Sequence, residues 1–141
     1  MKKKNGFTLI ELLAVIVILA IILVIAVPQI LKTIENARKS SMEDSAQLIA
    51  SQAEKQWLLN QVSAEADKVD LTKCDGIVSY SASDYDSCTL TVDDKGAAKV
   101  TLTGKTGGKF AGYTCTDATS SSANCVKGSG TTTPTTEPAN P

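Results

Sequence analysis

An apolar run near the N-terminus, residues 7–27, constrains this chain more than any other feature. Every residue in the run is apolar except Thr8 and Glu11. About 20 such residues cross a bilayer as an α-helix, so the run predicts a membrane-spanning helix. A cleaved signal peptide is the competing interpretation, but its apolar region is usually about 7–15 residues long and ends at a cut site with small residues. This run is longer and continues directly into an amphipathic pattern.

Glu11 distinguishes this run from a plain hydrophobic anchor. A carboxylate at the centre of a spanning helix costs about 2.5–3.5 kcal/mol, so an ionisable residue there indicates a functional site. The sequence has no basic side chain between residues 7 and 29 that could pair with it. A cut between Gly6 and Phe7 would create an α-amino group one helical turn away on the same chain. A neighbouring copy, staggered along the helix axis, could present that amine directly to Glu11.

The residues around this carboxylate form a longer motif. In order they are Lys2, Lys3, Lys4, Asn5, Gly6, Phe7, Thr8, Leu9, Ile10, Glu11, Leu12 and Leu13. This stretch resembles the class III signal of type IV pilins and related pseudopilins. The resemblance implies that a prepilin peptidase cuts after Gly6 and methylates the new amine of Phe7. It also implies that Glu11 pairs with the N-terminal amine of an adjacent subunit, with Thr8 in the same assembly segment.

Pro28 matches a proline that pilins commonly carry near the end of the apolar segment, and the resemblance places it among the assembly residues. Proline removes a backbone donor and clashes with the preceding turn, which predicts a kink or a locally melted stretch. Many pilins also carry a glycine in this segment, but none lies between Gly6 and Gly76 here. Unwinding on assembly is therefore expected just before Pro28.

The basic cluster before the apolar run predicts the orientation of the chain. Lys2, Lys3 and Lys4 favour a cytoplasmic N-terminus, so the rest of the chain faces outward. The resemblance implies a single-pass membrane precursor that later becomes part of an extracellular pilus at the cell surface. The implied partners are further copies of the chain in a helical homopolymer, the prepilin peptidase and an inner-membrane assembly platform. No nucleic-acid partner is expected, because no basic stripe with interleaved aromatic residues is present.

Beyond Pro28 the apolar residues recur at three- and four-residue intervals, which is typical of a helix with one apolar face. They are Ile30, Ile34, Ala37, Met42, Ala46, Ile49, Ala53 and Trp57. The pattern predicts one helix over residues 7–62 with a single core-facing stripe, roughly 80 Å long at about 1.5 Å per residue. That length exceeds the needs of a small domain, so the first half is expected to pack against other copies.

Four segments in the C-terminal half favour β-strands, because β-branched residues alternate with polar ones. They are residues 77–80, 88–92, 98–103 and 109–115, and a hairpin turn signal lies at residues 93–96. The expected fold is α+β. A long N-terminal helix, with a membrane-spanning half and an amphipathic half, packs residues 42–57 on a small antiparallel β-sheet.

Four cysteines follow the apolar run, on the side expected to be exported. An even number in a small exported domain predicts disulfides, and three pairings are open. The sequential pairing Cys74–Cys88 and Cys115–Cys125 is favoured because each bond closes a short polar loop. Closure of the second loop would resemble the disulfide-bounded C-terminal region of many pilins. Four free thiols or a zinc site are the alternative, although neither spacing resembles the Cys-x-x-Cys pairs of zinc sites.

These patterns divide the chain into five segments. A cleaved leader occupies residues 1–6, the transmembrane and assembly helix residues 7–28, and the amphipathic half of the helix residues 29–65. A disulfide-stapled β domain over residues 66–128 and a disordered Thr/Pro-rich tail over residues 129–141 complete the chain.

The composition argues against catalysis. The chain has no histidine, which excludes His-based acid–base catalysis and His-ligated metal sites. No metal or cofactor is expected. Some major pseudopilins bind calcium, and the candidate ligands here are Asp84, Asp86, Asp93 and Asp94. Their spacing lacks the EF-hand pattern, so turn and solvent roles are the preferred interpretation.

Three function classes remain, none of them enzymatic. The leading one is a structural subunit of a type IV pilus, assembled by packing of N-terminal helices and serving adhesion, motility or related surface functions. The second is a pseudopilin of a type II secretion or competence system. The third is a simple membrane-anchored surface protein, which would keep an unprocessed N-terminus.

Overall fold

The computed structural model describes residues 6–77 and 80–128 of the 141-residue chain. Its contacts divide the chain into two compact units, Met1–Ala37 and Arg38–Pro141. Three sequence predictions reach beyond the described residues. These are the leader apart from its last residue, the tail over residues 129–141, and residues 78–79 of the first expected strand.

Helix α1 comprises Leu9–Val62, which confirms the long N-terminal helix. Pro28 lies inside it, and the helix assignment continues through this residue without a break. The described part of α1 accordingly has no melted stretch before Pro28, and the unwinding expected there on assembly stays a prediction. A proline deletes one hydrogen bond of the ladder, and the bonds on either side maintain the helix.

The apolar stripe after Pro28 does not form one continuous buried surface. Met42 and Ile49 are fully buried together with the alanines between and after them, at positions 46, 50 and 53. Ile30 and Ile34 are exposed, as is residue 37, so the prediction of a single core-facing stripe is wrong for this stretch. Periodicity identifies an apolar face of a helix, but it does not tell how far along that face a sheet extends.

The sheet has four antiparallel strands in the order β1-β2-β3-β4. They are β1 Tyr85–Val92, β2 Ala98–Gly104, β3 Tyr113–Ala118 and β4 Cys125–Lys127. The first two contain the strands predicted at residues 88–92 and 98–103. The turn signal at residues 93–96 connects them, with the Asp93 N–H donating to the Ala97 carbonyl at 3.0 Å.

Two strand predictions were wrong, and one strand was missed. Residues 109–112 form a turn, so the strand predicted over 109–115 starts only at Tyr113. Ile77 and Tyr80, the described ends of the first predicted strand, are not in a strand, and the segment before them contains a 3-10 turn, Cys74–Gly76. Strand β4 is three residues long and carries too little alternation to be recognised in a sequence.

The core lies between one face of the sheet and the second half of α1. Ala98, Val100 and Leu102 are buried, while Lys99 between them is exposed, as the alternation in β2 predicts. Phe110, from the turn before β3, is the largest fully buried side chain. These residues form one cluster with the buried positions of α1. The α+β architecture expected from the sequence is therefore confirmed.

Carboxylates on α1 fasten the ends of the strands to the helix. Oε1 of Glu43 accepts a hydrogen bond from the Cys125 N–H at 3.0 Å. Oε1 of Glu54 accepts one from the Ser120 hydroxyl at 3.0 Å and another from the Ala98 N–H at 3.4 Å. Since these partners follow the two glutamates by 44 or more residues, the bonds connect parts of the domain that are remote in sequence.

Candidate processing and assembly site

Helix α1 starts with a reciprocal pair of hydrogen bonds between Thr8 and Glu11. The Glu11 N–H donates to Oγ1 of Thr8 at 3.3 Å, and the Thr8 N–H donates to Oε2 of Glu11 at 2.8 Å. The Thr8 hydroxyl also donates to the same Oε2 at 2.9 Å. This is a capping box, in which two side chains satisfy backbone donors that have no partner at the start of a helix.

The capping box places Glu11 differently from the position that the sequence argument assumed. The glutamate is the third residue of the helix and lies in its first turn, where the helix dipole favours a negative charge. The cost for a carboxylate at the centre of a bilayer therefore does not apply in full. The signal was available in the sequence, because Thr8 followed three residues later by Glu11 is the capping-box pattern.

The bond between Gly6 and Phe7 lies just before this cap. Neither residue is helical, and both are exposed. The Phe7 side chain is 92% exposed, and an added Cβ at Gly6 would meet no described atom within 4 Å. The predicted cut site is therefore an accessible, non-helical segment that directly precedes a firmly capped helix.

The apolar part of α1 has no cover within its own described unit. Its large side chains are exposed by roughly half or more, from Leu9 at 83% to Val27 at 46%. By length and composition, α1 is the one described helix capable of crossing a membrane. Exposed apolar surface on this scale marks a region that contacts a membrane or another protein.

A comparison with family models identifies this arrangement. Residues 1–27 match the prokaryotic N-terminal methylation motif. This match supports a type IV pilin-like family for the N-terminal segment. The match ends together with the apolar run, so the β domain is characterised by its own structure alone. No curated protein and no solved structure matches the chain.

The motif supports several broad features of the chain. It supports a type IV pilin or pseudopilin, and that family is structural rather than enzymatic. It implies processing by a peptidase, and together with the apolar helix it supports a membrane-anchored precursor. Gly6, Phe7, Thr8 and Glu11 all lie within the matched residues, whereas Pro28 lies one residue beyond them.

Two disulfides hold the β domain of the chain, in the sequential pairing. Cys115 and Cys125 are directly opposite on β3 and β4, with their Cα atoms 4.0 Å apart. Cys74 and Cys88 connect the 3-10 turn to β1, with their Cα atoms 6.1 Å apart. No free cysteine is present among the described residues. The first bond thus attaches β4 to β3, and the second attaches the 3-10 turn to the edge strand β1.

The aspartates considered as calcium ligands make other contacts. Asp84 lies 2.9 Å from the Lys109 ammonium group, and Asp86 accepts the Thr106 amide and hydroxyl at 2.9 Å each. The Thr106 amide and hydroxyl lower the pKa of Asp86. Residues 6–77 and 80–128 contain no group of three acidic or cysteine side chains arranged to hold a metal.

Asp93 and Asp94 lie in the turn between β1 and β2. Oδ1 of Asp93 accepts the N–H groups of Ala97 at 2.8 Å and of Lys95 at 2.9 Å. These backbone bonds, that from Ala97 first, lower the pKa of Asp93. Its carboxylate therefore closes the hairpin turn, which is the turn role that the sequence interpretation preferred.

Proposed function

We propose that this chain is a structural subunit of a type IV pilus that assembles by packing of its N-terminal helices and serves adhesion, motility or a related surface function. The observation that carries the proposal is the capped start of α1. A single carboxylate, Glu11, lies one turn after an accessible Gly6–Phe7 bond and beside an apolar surface that its own unit leaves exposed. A helix of this kind needs a partner for both its charge and its apolar surface.

Processing supplies the charge. Cleavage after Gly6 by a prepilin peptidase creates the α-amine of Phe7, which is then methylated and remains cationic. In the precursor the apolar part of α1 lies in the membrane. On transfer to the filament, through an inner-membrane assembly platform, helices of other copies replace the lipid around it. The carboxylate of Glu11 then meets the amine of an adjacent copy, so the finished pilus is an extracellular homopolymer without catalytic activity.

The β domain favours a pilus subunit over a calcium-dependent pseudopilin. Cys115–Cys125 closes a loop near the C-terminal end of the described chain, as in many pilins. The candidate calcium ligands Asp84, Asp86 and Asp93 are engaged by a lysine, a threonine and backbone amides. Exchange of these contacts for a metal would cost the domain its turn and loop bonds.

The test replaces Glu11 by Ala in the native cell. We expect surface filaments that contain the chain to disappear, while the precursor remains in the membrane. Asp44→Ala is the matched control, because Asp44 is an exposed acidic residue on the same helix but outside its apolar part. Filaments should form normally in this variant. Normal filaments in the Glu11→Ala strain would refute the pilus proposal.

Two further measurements separate the remaining function classes. Deletion of the gene should remove surface filaments; loss of protein export or DNA uptake in cells that never had such filaments would instead identify a pseudopilin. Mass spectrometry of the native protein should give an N-methylated Phe7 terminus. An unprocessed N-terminus would identify a simple anchored surface protein.

A further inference from the structure

The first helical hydrogen bond of α1 fixes where this helix begins. It runs from the Leu12 N–H to the Thr8 carbonyl at 3.2 Å, while Thr8 itself is not helical. Thr8 is therefore the N-cap residue, and its hydroxyl accepts the Glu11 N–H at 3.3 Å. The carboxylate of Glu11 accepts two bonds in return, from the N–H and the hydroxyl of Thr8. One pair of side chains thus sets the register at which α1 starts.

This register keeps the Gly6–Phe7 bond outside the helix. Both residues are exposed and non-helical, and Leu9, the first helical residue, is the second residue after Phe7. In a helix that began at Gly6, the carbonyl of Gly6 would instead accept the Ile10 N–H. A peptidase must reach this carbonyl, because hydrolysis adds water across the bond and leaves a carboxylate on Gly6 and an ammonium group on Phe7. A carbonyl bonded within a helix is less accessible to it.

The sequence contains a competing helix start three residues upstream. Asn is among the residue types most favoured at an N-cap, and a helix capped by Asn5 would begin at Gly6. That start has no capping box, because the position three residues after the cap carries Thr8, where the box requires Glu or Gln. The bonds between Thr8 and Glu11 consequently favour the later start.

We propose that Thr8 is a positioning residue for processing: as the N-cap of α1, it keeps the bond that the peptidase cuts outside the helix. The inference rests on the proposed function, which assigns the cut to Gly6–Phe7. It adds the residue that sets the register of the helix beside that cut. An independent observation connects this segment with an enzyme, since Thr8 lies within the residues that match the methylation motif.

The test compares two replacements of Thr8 in the native cell. Val has nearly the shape of Thr but is a poor N-cap, whereas Asn differs in shape and is a strong one. Loss of a cap changes a helix equilibrium about fivefold, so pulse-labelled Thr8→Val precursor should be cleaved about fivefold more slowly than the wild type. Thr8→Asn should be cleaved within about twofold of the wild-type rate. Thr33→Val, the same change at an exposed position of α1 beyond the methylation motif, is the matched control.

The two replacements separate capping from direct recognition of the Thr8 side chain by the peptidase. Rates are compared per inserted precursor, which immunoblots of the membrane fraction measure. Wild-type cleavage of Thr8→Val, or slow cleavage of Thr8→Asn, would overturn the inference. The peptidase would then be indifferent to the cap or would recognise the threonine itself.

A second variant tests the competing helix start. Adding Asn5→Ala to Thr8→Val removes the upstream N-cap, so cleavage should recover at least partly, and an absence of recovery would contradict the proposed role of the cap. These outcomes are separate from a failure of the proposed function. An unprocessed wild-type chain would refute the pilus proposal, whereas wild-type cleavage of Thr8→Val would leave it standing provided that Glu11→Ala still abolishes filaments.

Discussion

The two compact units of this chain treat apolar side chains in opposite ways. In Met1–Ala37, the leucines, isoleucines and valines of α1 are exposed and meet no packed surface of their own unit. In Arg38–Pro141, a cluster of apolar residues is almost completely buried between helix and sheet, although Leu58 and Leu59 near the end of the helix are exposed. The difference teaches that hydrophobicity alone does not make a core. Apolar residues on one helix need a second element to cover them, and only the second unit provides one.

The polar groups of the two units differ in a matching way. In the domain, Glu43 and Glu54 satisfy backbone and side-chain donors far along the chain. In the N-terminal unit, the one described partner of the Glu11 carboxylate is Thr8, three residues away. The domain is therefore closed by its own long-range contacts, whereas the N-terminal helix is locally capped and otherwise open to partners.

The largest expected effect comes from a matched pair of leucines. Leu102 is 0% exposed in the sheet, and Leu19 is 51% exposed in the apolar part of α1. We expect Leu102→Ala to lower the free energy of unfolding by about 2–5 kcal/mol. Leu19→Ala should stay within about 0.5 kcal/mol. Chemical unfolding of the full chain in detergent, followed by fluorescence of Trp57, measures both. Equal losses would mean that the two units share one cooperative core.

The disulfides should rank next. Replacing Cys115 and Cys125 together by Ala should lower the free energy of unfolding by about 3 kcal/mol, because the open chain regains the entropy of a loop with a sequence separation of 10. Thermal unfolding with and without a reducing agent gives an independent value. An unchanged stability would indicate that the bond from Ser120 to Glu54 already holds this loop in place.

A pair of glycines tests how closely the hairpin packs on the helix. Gly96 and Gly107 have positive φ angles of 87° and 77°, so Ala at either position costs about 1–2 kcal/mol of backbone strain. A Cβ at Gly96 would also lie 2.6 Å from the Trp57 ring, while one at Gly107 would meet no described atom within 4 Å. Gly96→Ala should thus destabilise the domain more in the same unfolding experiment. Identical values would show that the Trp57 ring moves aside freely.

The smallest expected effect is on the stability of the folded domain at acid pH. The backbone bonds of Asp93 lower its pKa in the folded domain. Its charged form therefore contributes stability above the unfolded pKa of about 3.9, and this contribution is lost as the pH falls through the folded pKa. In Asp93→Asn, the free energy of unfolding should therefore decrease less than in the wild type as the pH falls below about 4. Asp94→Asn, one residue along the turn, is the control. An unchanged pH profile for Asp93→Asn would contradict this role of the turn.

The sequence was most informative where the pattern is local. The alternation in Ala98, Val100 and Leu102 predicted both the strand and its buried face. The Gly6–Phe7 pair and Glu11 lie in the matched methylation motif. The capping box was overlooked although Thr8 and Glu11 display it openly, because the carboxylate was considered as a membrane charge and not as the third residue of a helix.

The sequence was least informative where the outcome depends on distant contacts. Strand β4 is held by two distant contacts: Cys125 lies opposite Cys115, and the Cys125 N–H donates to the Glu43 carboxylate. The three residues of this strand do not reveal these contacts by themselves. The apolar stripe of α1, which is exposed in one part and buried in another, is a similar case. Ile34 and Met42 belong to the same series of apolar residues at helical spacing. Only the extent of the sheet decides that one is exposed and the other buried.

By itself, the sequence determined the methylation motif, the long helix, the hairpin and the strands on either side of it, since these follow from side-chain types at short spacings. The tertiary structure decided which part of that helix belongs to a core, and it added the short strand β4. Burial depends on which surfaces meet in space, and the free energy of those contacts is not a property of any local segment.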